Sequence, residues 1–309
     1  MKRIILINMP FVSVRYPSPA LSILKPLVEK TGVACDVAYL NIAFQAFCGN
    51  SEAYEGISDL MVIGETVFGA ELYGEKWAQS ERGRLDTCTA PLMPDGIKRE
   101  AIRESLVALR SQAGEFLREC MRTIKWQDYA IVGFTSVYSQ NVASLALAQE
   151  IKQQWPEKIV AFGGANCAED MGEALLRLFP FVDWIFNGEA DLSFPQAVAN
   201  WLEGKPPAGI SGVAYRSNGQ IVGQGQGQSP ELNDLPYPDF DDFFNALQKW
   251  APAHLTSSPL ALELSRGCWW GKKSQCIFCG LNCHSINYRR KNPERAESEI
   301  KALTTRYHV

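Results

Sequence analysis

The chain opens on an unbroken apolar run at residues 4–7, Ile-Ile-Leu-Ile, the pattern of a strand buried on both faces. A loop with Pro10-Phe11 and Tyr16-Pro17-Ser18-Pro19 follows. Leu21, Leu24, Leu27 and Val28 then recur at helical spacing up to Gly32, and residues 33–40 read as a second strand. The same alternation returns after Trp126. Strands are predicted at 129–134, 159–162 and 182–186, the last two ending in Gly163-Gly164 and Asn187-Gly188-Glu189. Helices are predicted at 139–154, 169–179 and 191–202. Alternating strands and helices of these lengths predict an α/β fold with a doubly wound, Rossmann-like, mostly parallel sheet. A hairpin turning at Ser217-Asn218-Gly219 closes this domain at about residue 222. Within it, 46–95 has weak periodicity and reads as short helices and loops. Residues 97–124 carry an amphipathic helix with Ile102, Leu106, Leu109, Phe116 and Leu117 near one face.

The pattern changes at 223–259. Gly-Gln repeats give way to Pro230, Pro236, Pro238, Pro252 and Pro259, the composition of a linker ordered in part by Tyr237, Phe240, Phe243 and Phe244. A new unit, 260–309, is expected to begin with a strand at 260–264, pass through a cysteine-rich loop and enter a helix at Pro293 that runs through Ile300 and Leu303.

Composition narrows the function. With 46% apolar and 21% charged residues the chain is globular. Thirty basic against 34 acidic residues, net −4, leave no field for duplex nucleic acid. No apolar stretch is long enough for a membrane helix, and the N-terminal run is too short for a signal peptide. The expectation is a cytoplasmic protein with reduced thiols and neither nucleic-acid nor membrane partners. Its 309 residues allow two domains, or one and a fragment.

Of nine cysteines, Cys35, Cys48, Cys88, Cys120 and Cys167 are scattered and read as small buried hydrophobes. Cys268, Cys276, Cys279 and Cys283 share one loop. Thiolates at Cys-x7-Cys-x2-Cys suit an iron–sulfur cluster or zinc, and Cys283 or His284 could complete a zinc knuckle. In an open parallel sheet, ligands bind beyond the carboxyl ends of the strands. Those ends carry Pro10, Ser136, Tyr138, Gln140, Asn141, Gly163, Gly164, Ala165, Asn166, Gly188 and Glu189. They offer neutral hydrogen bonds and glycine backbone that a bulky ligand can approach, features that also serve ordinary tight turns. There is no G-x-G-x-x-G and no Walker loop.

The stretch Ser265-Arg266-Gly267-Cys268 through Cys276-Ile277-Phe278-Cys279-Gly280-Leu281-Asn282, with Tyr288-Arg289 and Asn292-Pro293-Glu294-Arg295, resembles the opening of a radical S-adenosylmethionine domain. With its Trp269-Trp270-Gly271 insertion, it resembles more narrowly the cobalamin-binding radical enzymes that mature ribosomally made peptides. The resemblance implies that Cys268, Cys276 and Cys279 hold a 4Fe-4S cluster, that S-adenosylmethionine chelates the open iron, and that Phe278 lies near the adenine. It implies that the upstream sheet binds cobalamin, with loop 135–141 and Gly163-Gly164 against the corrin or its nucleotide tail. The Asp-x-His-x-x-Gly motif that supplies a histidine to cobalt is absent, and His254, His284 and His308 all lie outside the sheet domain. The implied reaction is methylation at an unactivated carbon of a precursor peptide, with an electron donor reducing the cluster.

About 50 residues after Leu260 are too few for a barrel of roughly 200. The expectation is a truncated chain, or one that a second chain completes, inactive alone as a methyltransferase. The alternatives are a stand-alone corrinoid-binding module and a zinc-stabilised interaction protein.

Overall fold

The computed structural model describes residues 3–60, 62–74, 76–77, 80, 96–223, 225–279 and 286–308; Cys88, Cys283 and His284 lie outside them. Strand β1 (Arg3–Asn8) is the buried apolar run and sits between β2 (Ala34–Tyr39) and β3 (Tyr129–Thr135). Next come β4 (Ile159–Gly163), β5 (Trp184–Phe186) and the hairpin β6 (Val213–Ser217) and β7 (Gln220–Val222), giving the order β2-β1-β3-β4-β5-β6-β7. The first five strands are parallel and the last two antiparallel. Asn218 and Gly219, with φ of 49° and 79°, supply the left-handed pair that a tight hairpin needs.

From β1 the chain steps one way to β2, and from β3 it steps the other way to β4 and β5. This reversal leaves a crevice at the carboxyl ends of the strands. Helix α1 (Pro19–Glu29) makes the first crossover; Ser18 caps it, its Oγ accepting from the Leu21 N–H at 3.4 Å.

The region between β2 and β3 folds over the end of β1. It contains α2 (Leu40–Cys48), α3 (Ser51–Ser58), a 3-10 turn (Ile63–Thr66) and α4 (Gly69–Tyr73). Phe11 stacks on Tyr54 at 5.1 Å and meets Phe44 edge-on at 5.8 Å. Helix α5 (Gly96–Thr123) buries Leu106, Leu109, Ala113, Phe116, Leu117 and Cys120, a 3–4 residue stripe that confirms the amphipathic reading. Its outer face pairs Glu115 with Arg118 and Glu119 with Arg122. Helices α6 (Asn141–Gln154), α7 (Asp170–Leu178) and α8 (Ser193–Leu202) follow β3, β4 and β5.

The Pro-rich stretch is packed against the sheet domain along much of its length. Leu232 and Leu235 form a small core with Ile23 on the outer side of α1, and the Asp239 N–H donates to Ser22 O at 2.8 Å. Helix α9 (Asp241–Trp250) buries Phe243 and Leu247 in the main core, and Lys25 of α1 pairs with Asp242 at 2.6 Å.

The expected strand at 260–264 does not form. Pairing begins at β8 (Ser265–Arg266), antiparallel to β9 (Arg289–Arg290). Only Leu264 reaches that pairing, its O accepting from the Lys291 N–H at 2.9 Å; among the described residues no strand pairs with 260–263, so that part of the apolar run finds no ladder to complete. Helix α10 (Pro293–Tyr307) starts where the sequence predicts, its Asn292 cap accepting from the Arg295 N–H at 2.8 Å.

Candidate functional site

A cavity of about 430 Å³ opens at the carboxyl ends of β3, β4 and β5 and runs between the sheet and helices α1 and α8. Its walls are mostly apolar, with Leu21 and Leu24 from α1, Phe162 and Phe186 from the strands, and Phe194 from α8. Its volume falls within the range of small-molecule sites. Gly163, Gly164, Gly188 and Glu189 of the expected positions line it. Gly164 lies at φ +104° and ψ −178°, with Ser136 O only 2.5 Å from where a Cβ would stand. Such backbone is available to glycine alone.

Other expected residues form the rim rather than the wall. The buried Ser136 donates its N–H to Gly163 O at 2.7 Å and accepts at Oγ from Asn166 Nδ2 at 3.0 Å. Asn166 Nδ2 also donates to Tyr138 O at 3.0 Å, while the Tyr138 side chain is exposed. Ala165 is exposed beside Gly164. Gln140 is fully buried, and its amide is occupied by Asn8 Oδ1 at 2.8 Å, Met9 O at 2.5 Å and the Val137 N–H at 3.2 Å. It fixes the loop between β3 and α6. Pro10 is buried under the region after β2, away from the cavity wall.

Glu65 was not anticipated by sequence reasoning. From the 3-10 turn it caps α6, Oε1 accepting from the Asn141 N–H at 3.0 Å and Oε2 from the Val142 N–H at 2.6 Å. Burial pushes its carboxyl up from 4.5 to about 7, against the pull of those two bonds. The folded protein therefore holds a proton that the unfolded chain releases near pH 4.5. That stabilisation is complete below the unfolded value and is lost as pH rises through 7. Wild type is expected to lose about 3 kcal/mol more than Glu65→Gln between pH 4.5 and 8. Urea unfolding midpoints at the two pH values measure this, and parallel losses in both proteins would refute it.

The segment that leads into the cysteine loop lines the cavity. Glu263 and Arg266, both lining it, come from the segment leading into Cys268. Arg266 Nη1 pairs with Glu189 Oε2 at 2.7 Å and with Asp191 Oδ2 at 2.6 Å; Nη2 reaches Asp191 Oδ1 at 3.1 Å and Glu263 Oε2 at 2.8 Å. Burial disfavours its charge, but hydrogen bonds to Asp191 and Glu263 outweigh this and hold its pKa above the ordinary arginine value. Arg289 of β9 also binds Glu189 and donates to Pro230 O at 2.9 Å. Sequence reasoning placed Glu189 at the site but missed its partners. The available signal was the adjacency of Glu263 and Arg266 to Cys268.

Gly267, at φ +78°, allows the chain to pass Asn287 O, which would lie 2.3 Å from an added Cβ. The Cys268 N–H donates to Ile286 O at 3.1 Å, and Cys268 Sγ accepts from the Gly271 N–H at 3.3 Å. The Cys279 N–H closes a turn onto Cys276 O at 3.0 Å, leaving Ile277 and Phe278 fully outward. Trp269 and Trp270 are also exposed and meet edge-on at 5.8 Å. Cys268, Cys276 and Cys279 are free, half-buried thiols. Among the described residues no three Cys, His, Asp or Glu side chains converge as metal ligands. By type the donors fit a thiolate-bound cluster, and one loop carries all three. Of the scattered cysteines, Cys35, Cys120 and Cys167 are buried as expected of inert packing groups, with burial pushing the Cys167 thiol up to about 12, whereas Cys48 is only half-buried.

The chain is 25% identical over 195 residues to the uncharacterized methyltransferase PH0819 of Pyrococcus horikoshii, covering 61% of this chain and 39% of that protein. It is 26% identical over 164 residues to the cobalamin-dependent radical SAM methyltransferase TokK of Streptomyces tokunonensis, covering 51% of this chain and 23% of TokK. Among solved structures, the cobalamin-dependent S-adenosylmethionine radical enzyme OxsB superposes with a TM-score of 0.56 at 12% identity, over 100% of this chain and 33% of OxsB. The chain shares the fold of the part of this cobalamin-dependent radical S-adenosylmethionine enzyme that it matches. The methyltransferase TsrM from Kitasatospora setae, solved with cobalamin and a 4Fe-4S cluster bound, gives 0.53 at 13% identity, over 99% of this chain and 46% of TsrM. The chain thus spans less than half the length of each of these relatives. No family profile matches it. No described helix is long and apolar enough to cross a membrane.

Proposed function

We propose that this chain binds a corrinoid at the sheet-edge cavity and a 4Fe-4S cluster with S-adenosylmethionine at Cys268, Cys276 and Cys279, in the service of cobalamin-dependent methyl transfer. The observation that carries the reading is the anchoring of Arg266, two residues before Cys268, to Glu189 and Asp191 at an apolar cavity whose strand ends are glycine. When bound, the cluster and S-adenosylmethionine would supply radical generation and the corrinoid the methyl group. The chain's own residues do the rest. Gly163, Gly164 and Gly188 let backbone approach the ligand. The apolar walls exclude water from it. Among the described residues no histidine lines the cavity, so a corrinoid held there would take no histidine ligand from those walls. On the motif resemblance we place a ribosomally made peptide as the substrate and a low-potential electron donor as the reductant.

Anaerobic reconstitution followed by iron, sulfide and zinc analysis, with a hydroxocobalamin titration followed by visible spectra, tests the reading. Wild type is expected to take up about four iron and four sulfide and to bind the corrinoid in a base-off form. Cys279→Ala is expected to lose the cluster and keep the corrinoid. Stoichiometric zinc without sulfide would overturn the cluster, and corrinoid uptake without iron would leave a carrier module.

A further inference from the structure

We propose that Arg266 is a positioning residue that couples the sheet-edge cavity to the cysteine loop, so that a ligand in one strengthens binding in the other. This inference rests on the function proposed above and names a residue through which the two sites would act on each other.

Three observations meet at this side chain. First, Arg266 lies two residues before Cys268, on the short strand β8 whose pairing with β9 sets the base of the loop. Second, its guanidinium gathers carboxylates from both sides of the junction: Glu189 and Asp191 between β5 and α8, and Glu263 from its own segment. Its side chain is 15% exposed and that of Asp191 9%, so solvent screens these contacts weakly. Third, all four groups line the cavity mouth, and Gly188, next to Glu189, is part of the same wall.

A planar fork with several fixed donors holds carboxylates in defined directions. The Asp191 contact engages both carboxylate oxygens at 2.6 and 3.1 Å and sets the guanidinium plane relative to the start of α8. A ligand that orders the β5–α8 turn therefore orders Arg266, and with it the backbone leading into Cys268. The same holds in reverse when a metal cluster orders the loop. Coupling of this kind is reciprocal, and its usual size is roughly 5–150-fold in affinity.

The experiment is a hydroxocobalamin titration of the full chain before and after iron–sulfur reconstitution. In wild type the cluster is expected to tighten corrinoid binding about tenfold. In Arg266→Gln the ratio is expected to fall to about one, with both groups still bound. Arg266→Lys keeps the charge without the fork and is expected to leave the ratio near one, which a role of charge alone would not do. Asp191→Asn removes the bidentate partner from the sheet side and keeps the test open if the Arg266 variants do not fold; it is expected to lose most of the ratio. A wild-type ratio of one, or an unchanged ratio in the variants, would overturn the coupling while leaving both sites in place. Wild type that binds no corrinoid or no cluster would overturn the proposed function itself, and the coupling with it.

Discussion

Glu299→Ala is expected to cost about 3–5 kcal/mol of folding stability, the largest loss of any single change considered. Glu299 lies on α10 with no side-chain exposure and meets the equally buried Lys291 ammonium at 2.8 and 2.7 Å. Arg295 adds a third contact at 2.7 Å. Truncation leaves the Lys291 charge in the interior without its counter-charge, and the unpaired charge, rather than the lost bond, sets the cost. The damage would spread through the clasp on α10, because Arg295 also donates to Leu235 O at 2.7 Å and lies 4.1 Å over the Tyr237 ring. Removing both charges, as Lys291→Met with Glu299→Leu, is expected to recover most of the loss. Urea unfolding of the three proteins measures this. A single-variant loss below about 1 kcal/mol would show that the pair is not isolated from water.

Gly164→Ala is expected to cost about 2–4 kcal/mol and to weaken ligand binding in the cavity. Part of that is intrinsic, since φ +104° with ψ −178° is poorly accessible to any residue with a Cβ. The rest comes from Ser136, whose O and N would lie 2.5 and 3.0 Å from the new methyl. Both neighbours are backbone, so the ends of β3 and β4 must part, and the Ser136–Gly163 hydrogen bond between them is stretched. Gly209→Ala is the control: φ is +75° there too, but nothing lies within 4 Å. It is expected to cost about 1 kcal/mol and to leave the cavity as it is. Thermal denaturation with a hydroxocobalamin titration separates the two variants; equal stability losses would refute the role of close approach.

Much of the architecture was legible because burial on both sheet faces leaves a plain mark. The Ile4–Ile7 run, the Gly163-Gly164 and Asn187-Gly188 strand ends and the stripe on α5 all fell where pattern placed them. The cysteine loop was legible by spacing and by resemblance. Other features had no local signature. The Pro-rich stretch reads as a linker ordered in part by aromatics; Phe243 does join the main core, with Leu247, beside Tyr39 of β2, while Leu232 and Leu235 carried no such signal and are buried because α1 presents Ile23 on a second apolar side. The apolar run 260–264 predicts a strand, and whether a strand forms depends on a neighbour to pair with.

The alternation of strands and helices, the glycines that strand ends require and four cysteines in one loop, three of them at Cys-x7-Cys-x2-Cys, are all written in the chain itself. Each follows from chemistry within a few residues along the chain. The tertiary structure alone decided which of those parts meet. It placed the cavity between α1, α8 and the ends of β3 to β5, turned Gln140 inward to brace a loop, and set Glu65 on the first turn of α6. It also brought Glu189 and Asp191 to Arg266 across some 75 residues of chain. Such pairings reflect which surfaces must be buried together and which charges must then find partners, and those demands exist only once the chain has folded.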